Sequence, residues 1–198
     1  VHKGERSVGL FTAPARVFLR ALRRGHGSHW MQNHVPRNWY GVQGRSTFQA
    51  VWSMSAMAQY ANDTGRSAAA TLFDIQKAFD NIKWSHLVRL SKKVAFPQNL
   101  LKLLYRLHSA TRIIVVDNAV AAIFHPLVSV VAGCAYADQV MFIMMVEVCS
   151  RVTAAAPTAH TAVVADDFQI LAIDDSPGCD VAKQAVTVQA EATETALR

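Results

Sequence analysis

Cysteine is scarce in this chain. Only Cys134, Cys149 and Cys179 occur in 198 residues, an odd number at wide spacing with no Cys-x-x-Cys pair. That excludes a disulfide-stapled secreted scaffold, and it predicts reduced intracellular thiols with no disulfide-linked partner. His26, His29 and His34 are spaced like ligands, but no cysteine or second cluster completes a zinc site with them. Long apolar runs are also missing. The longest, residues 140–146, lies between Asp138 and Glu147 and falls far short of the ~20 residues a helix needs to cross a bilayer, so no membrane partner is expected. No secretory leader, repeat or low-complexity tract is visible. Acid is nearly absent from the front of the chain: residues 1–50 hold eight Lys and Arg against Glu5 alone. Residues 161–198 reverse the balance, with seven acids against two bases. A basic front and an acidic rear suit a protein that grips a polyanion and holds cations elsewhere.

Apolar residues are plentiful, at 52% of the chain, enough for an ample core in one domain or slightly more. Thr12-Ala13-Pro14 reads as a cap followed by proline in a first turn, opening a basic amphipathic helix. In that helix Val17, Phe18, Ala21 and Leu22 share one face, and the arginines from Arg16 to Arg24 lie mostly on the other. Residues 25–44 read as a polar, glycine-containing connection. Ser46-Thr47 caps a helix in which Phe48, Val51, Trp52, Ser55 and Ala58 recur at helical spacing. Residues 68–73 form a short apolar run, most simply a buried strand. Helices are predicted over 84–94 and from Pro97 to His108, then a hairpin over 111–124 and an apolar helix over 138–152. Residues 161–165 and 168–173 form a second hairpin, and a helical segment follows from about Cys179. Helices mixed with antiparallel strands give the class α+β.

Two acidic landmarks belong together. Phe73-Asp74-Ile75-Gln76-Lys77-Ala78-Phe79-Asp80 ends one apolar run, and Val163-Val164-Ala165-Asp166-Asp167-Phe168 ends another, with 92 positions from Asp74 to Asp166. Carboxylates at the ends of neighbouring strands are a means of holding two divalent ions, Mg²⁺ or Mn²⁺, about 3.5–4 Å apart for phosphoryl transfer. Asp167 would be a further ligand or an orienting group. Asp-Asp at a hairpin tip also reads as a plain turn former.

Taken together these motifs resemble the reverse transcriptases, most closely those of non-LTR retrotransposons and group II introns. The first landmark, with Ile82, Trp84 and Leu87 after it, is similar to the family's first catalytic motif, and Ala165-Asp166-Asp167 to its aspartate pair. Gly44-Arg45-Ser46-Thr47 and Glu5-Arg6-Ser7-Val8-Gly9-Leu10 are similar to its fingers-region motifs, and the order holds along nearly the whole chain.

The resemblance implies a palm, an antiparallel sheet backed by helices, over residues 68–198. It implies a partial fingers region over 1–67, with the thumb absent. The chain opens on Val1 and stops inside a predicted helix, so a fragment of a longer protein is expected. The implied activity is RNA-directed DNA polymerisation on an RNA template, from a DNA primer and dNTPs, at an intracellular and nuclear location. Asp74, Asp166 and Asp167 would be the catalytic, metal-binding acids. Phe79, five positions after Asp74, would exclude a 2′-hydroxyl; on spacing alone it reads as a core aromatic. Arg6 and Arg45 would contact phosphate, or else are solvated surface charges. Gly133 would let backbone approach the nucleotide.

The sequence departs from the family's Gln-Gly-x-Pro-x-Ser-Pro motif, having Ala132-Gly133-Cys134-Ala135-Tyr136-Ala137-Asp138 with neither proline. That departure keeps a second reading open: a catalytically inactive, degenerate reverse-transcriptase-like fragment that only binds nucleic acid. A phosphohydrolase or receiver-like domain would need alternating strand–helix units, which the order of elements from 119 to 173 does not supply.

Overall fold

Strand pairing organises the acidic landmarks. The computed structural model describes residues 11–42, 44–75, 77–116, 119–131, 133–155, 157–175 and scattered positions from 180 to 191. The chain divides into two units: Val1–His34 with Lys77–Ile143, and Val35–Gln76 with Met144–Arg198.

The second unit carries a four-stranded sheet in the order β1-β5-β6-β2, made of β1 (Trp39–Tyr40), β5 (His160–Val164), β6 (Asp167–Asp174) and β2 (Ser67–Asp74). β1 runs parallel to β5, and the other pairs are antiparallel. Helix α3 (Thr47–Asp63) packs against all four strands. Mixed helices and antiparallel strands, with a sheet backed by a helix, give the expected α+β character.

Three expectations in this unit need correction. β2 is an edge strand, not a buried one: Ser67, Ala69, Thr71 and Phe73 are half-buried, while Ala68, Ala70, Leu72 and Asp74 alternate with them on an exposed face. A run of alanines cannot distinguish burial on two faces from burial on one. In α3 the expected core stripe faces solvent, with Phe48 74% and Trp52 66% exposed. The sheet instead takes the small residues Ala50 and Ala61, which let helix and strands approach closely. β1, hidden in the expected connection, has only two residues and no periodicity to betray it.

The start of α3 follows its sequence closely. The Ser46 hydroxyl accepts the Gln49 N–H at 3.3 Å, and the Gln49 side-chain oxygen accepts the Ser46 N–H at 2.7 Å. This reciprocal cap satisfies two otherwise orphaned donors.

The first unit holds α1 (Ala13–Leu22), a π-helical turn (Arg23–Gly27), α2 (Ser28–His34), α4 (Trp84–Lys93), α5 (Gln98–His108), and a separate hairpin of β3 (Arg112–Val116) and β4 (Ala119–Phe124). It also holds the start of α6 (Ala137–Ala155), whose remainder belongs to the second unit. Leu87, Leu90, Leu101 and Leu104 are buried, each contributing about 1.5–3 kcal/mol by leaving water.

Helix α1 turns the other way from expectation: Leu19 is its buried residue, and Val17 and Phe18 are exposed. Thr12 makes no side-chain cap; its carbonyl instead accepts the Arg16 N–H at 3.0 Å. Residues 25–34 are helical rather than a connection. Gly27 is required by packing, because a Cβ there would lie 2.8 Å from Gln139 Nε2 and 3.0 Å from Tyr136 Cε1. Gly27, which read as a breaker, therefore marks a close helix contact, whereas Gly25 faces open space. Among the described residues, no helix is long and apolar enough to cross a membrane. Most of the helix expected from about Cys179 lies outside the described residues.

Candidate active site

The β5–β6 hairpin builds the acidic rim. Val164 pairs with Asp167, which leaves Ala165 and Asp166 as a two-residue tip. Such a tip favours a positive φ at its first residue, normally supplied by glycine. Here Ala165 adopts φ 54°, a left-handed conformation costing an alanine about 1–2 kcal/mol. Backbone strain of this kind collects at functional sites. Ala165→Gly is expected to stabilise the protein by about 0.5–1 kcal/mol, part of the relieved strain being offset by the freer unfolded chain. Urea unfolding measures it, and a loss of stability would contradict the account of the tip. Gly41 (φ 73°) lies just behind, where a Cβ would meet Val164 Cγ1 at 3.4 Å.

Across the sheet, Asp74 is the direct partner of Asp167 in the β2–β6 register. The sheet thus brings the first landmark to the second, with Asp166 one residue from the pair. Desolvation first, then the negative charges of Asp166 and Asp74, raise the Asp167 carboxyl above its ordinary range. Among the described residues no three His, Cys, Asp or Glu side chains form a ready-made metal cage. Mg²⁺ does not need one, since it is commonly held by one or two carboxylates with the remaining oxygens from substrate phosphates and water. Crowded carboxylates at an exposed rim are hard oxygen donors in mutual repulsion, and they fit such an ion.

Arg45 belongs to the same unit. Its Nη1 donates to the Pro36 carbonyl and, at 3.3 Å, to the Trp39 carbonyl. It braces the turn that leads into β1. Arg6 lies outside the described residues.

Phe79 and Gly133 belong to the first unit. Phe79 is half-buried in a turn over residues 77–80, where Lys77 has φ 52° and its carbonyl accepts the Asp80 N–H at 2.9 Å. The Phe79 carbonyl accepts the Val130 N–H at 2.8 Å, and the Ile82 carbonyl accepts the Ser129 N–H at 3.0 Å. The segment so tied leads directly into Gly133, which is exposed.

The altered motif has its own packing. Asp138, in the first turn of α6, pairs with Arg23 of the π-helical turn at 2.5 Å. Burial raises the Asp138 carboxyl, opposed by the Arg23 charge. A carboxylate in a helix's first turn is also favoured by the helix dipole. Cys134 is a buried free thiol pushed up to about 11, which leaves it protonated and unreactive at neutral pH. Sequence reasoning missed His108, a buried side chain that reaches this segment. A lone histidine ending a leucine-rich helix carries no signal of that contact.

The sheet and its acidic rim define a class in which carboxylates from two paired strands face one another at a hairpin tip. A family model described as reverse transcriptase (RNA-dependent DNA polymerase) matches residues 6–197. The chain therefore belongs to the reverse transcriptase family, whose members are nucleotidyltransferases acting on nucleic acid and nucleotide substrates. No curated protein matches it.

Proposed function

We propose that this chain is the fingers–palm region of a retroelement's RNA-directed DNA polymerase, and that it extends a DNA primer on an RNA template by two-metal nucleotidyl transfer. The observation that carries the reading is the register of Asp74 against Asp167, beside Asp166 at the strained tip.

In this reading Asp74 and Asp166 hold the divalent ions, and Asp167 orients or completes the set. Once bound, the ions lower the pKa of the primer 3′-hydroxyl and neutralise charge on the leaving pyrophosphate. The protein supplies fixed carboxylates whose repulsion is relieved when cations bind. Gly133 presents bare backbone to the nucleotide, and Arg45 keeps further guanidinium donors for phosphate.

The Phe79 ring lies under the sugar and rejects a 2′-hydroxyl. Phe79→Val is accordingly expected to raise rNTP use relative to dNTP by about 10- to 100-fold, the scale of a steric pocket contact. Competitive incorporation assays measure it, and unchanged selectivity would remove Phe79 from this role.

Arg16, Arg20 and Arg24 are exposed along α1 and the turn after it. In this reading they follow the nucleic-acid backbone. Arg20→Ala is expected to weaken primer–template binding and to flatten its salt dependence by about one unit in the log–log slope. An unchanged slope would place that ridge away from the nucleic acid.

The second reading, a degenerate binding fragment, is favoured by one feature: Ala132 replaces the motif's glutamine and Asp138 its last proline, with Asp138 committed to Arg23. Extension of a labelled DNA primer on RNA with dNTPs and Mg²⁺ or Mn²⁺ separates the two. Templated products support the polymerase. Salt-sensitive binding of primer–template without extension supports the degenerate fragment.

A further inference from the structure

Three consecutive backbone N–H groups hold the segment before Gly133. Ser129 donates to the Ile82 carbonyl and Val130 to the Phe79 carbonyl. The third, from Val131, donates at 3.0 Å to a side chain, Nδ1 of His108 at the end of α5. His108 is 1% exposed, so water cannot replace it as the acceptor. Its ring is fixed from two sides: Phe11 meets it edge-on with centroids 5.0 Å apart, and Trp84 lies tilted at 5.6 Å. Accepting at Nδ1 requires the neutral tautomer with its proton on Nε2, and that atom is buried with no hydrogen-bond partner among the described residues. A buried donor left unsatisfied is costly, so the ring's placement is set by the bond at Nδ1 and by the flanking aromatics. Burial, then the nearby Arg112 charge, lower its pKa to about 4, which keeps Nδ1 free to accept at neutral pH.

We infer that His108 is a positioning residue for the nucleotide site: its Nδ1 fixes the Val131 amide and thereby holds the backbone run that joins the Phe79 turn to Gly133. Neither the aspartates nor the family motifs involve it. The inference rests on the polymerase reading for its functional consequence, but the contact stands independently of that reading. Ser129 adds a reason for the segment to need holding. Its φ of 88° is a left-handed conformation that a serine adopts only under constraint, so the run would relax if one of its ties were cut.

The test contrasts two amides in the full chain. In His108→Asn the side-chain oxygen can occupy the Nδ1 position, whereas in His108→Gln the amide reaches toward Nε2. The readouts are dNTP KM and kcat in RNA-templated extension, dNTP-over-rNTP selectivity, and amide hydrogen exchange over residues 129–131. His108→Gln is expected to raise the dNTP KM about tenfold, the scale of one buried hydrogen bond, to reduce sugar selectivity and to speed exchange of the Val131 amide. His108→Asn is expected to restore all three toward wild type.

If neither the wild type nor the variants extend a primer, while exchange at 129–131 still separates Gln from Asn, the polymerase reading fails and the positioning contact is upheld. If extension proceeds and the two variants behave alike in KM, selectivity and exchange, the inference is overturned. Because the Asn and Gln variants have similar polarity, a general loss of stability would affect both and would not produce the split.

Discussion

Asp166→Ala is expected to lower RNA-templated primer extension roughly a thousandfold or more while leaving primer–template binding within about twofold, because the carboxylate is assigned to ions that act in the transition state. Asp74→Ala is expected to do the same. The two losses should not multiply. Groups that act as one unit are grossly non-additive, so the double variant should extend about as poorly as either single one. The register makes this expectation specific, since Asp74 pairs with Asp167 and lies one residue from Asp166. Single-turnover extension with saturating primer–template measures the effect. Losses that multiply would mean the two acids act in separate places. A small loss at either would reduce it to a turn or strand-end residue. Desolvation and the charges of its neighbours raise the Asp167 carboxyl, so its repulsion is built into the fold before any cation binds.

The second large effect is in stability. His108 titrates near its ordinary 6.5 when unfolded, and at about 4 when folded, lowered by burial and then by Arg112. Above pH 6.5 both states are neutral at this ring, and its contribution to stability is complete. As pH falls, the unfolded chain takes up a proton that the folded chain refuses until about pH 4. Stability is therefore lost between pH 6.5 and 4, by about 2 kcal/mol at pH 5 and about 3 kcal/mol at pH 4. A second proton would have to sit on Nδ1, which already accepts the Val131 N–H, in a buried site under the positive field of Arg112. Urea unfolding at pH 7 and pH 5, comparing wild type with His108→Asn, isolates this contribution from that of the carboxylates. The wild type should lose about 2 kcal/mol more than the variant over that interval. Equal losses would mean that the ring is solvated in the folded protein.

Much of this architecture was legible in the sequence where periodicity and punctuation agree. Ser46-Thr47 announced the start of α3, Pro97 announced α5, and the acids between two apolar runs announced the β5–β6 tip. Legibility ended where tertiary packing overrode local pattern. Phe48, Val51 and Trp52 had helical spacing but lie outward, because Ala50 and Ala61 on the other side of α3 allow closer approach to the sheet. Gly25 and Gly27 read as a break, yet the chain stays helical through them. Gly27 serves packing against Tyr136 and Gln139, a contact 109 and more residues distant that no local window contains.

The site divided in the same way. Asp74 and Asp166 were identifiable as strand-end carboxylates. Their joint placement came from β2–β6 register, a long-range property, and it showed that Asp167 rather than Asp166 lies directly across from Asp74. The tie from His108 to Val131 was invisible, since it joins a helix end to a backbone amide 23 residues on.

The central claim is that the acids at the rim act as one divalent-ion site. Mn²⁺ titration followed by electron paramagnetic resonance tests it most directly, using the full chain with primer–template and a dNTP. The account predicts two Mn²⁺ ions per chain with spin coupling between them, and loss of that coupling in Asp166→Ala. Failure of the wild type to bind Mn²⁺, or a coupled pair that survives Asp166→Ala, would contradict it.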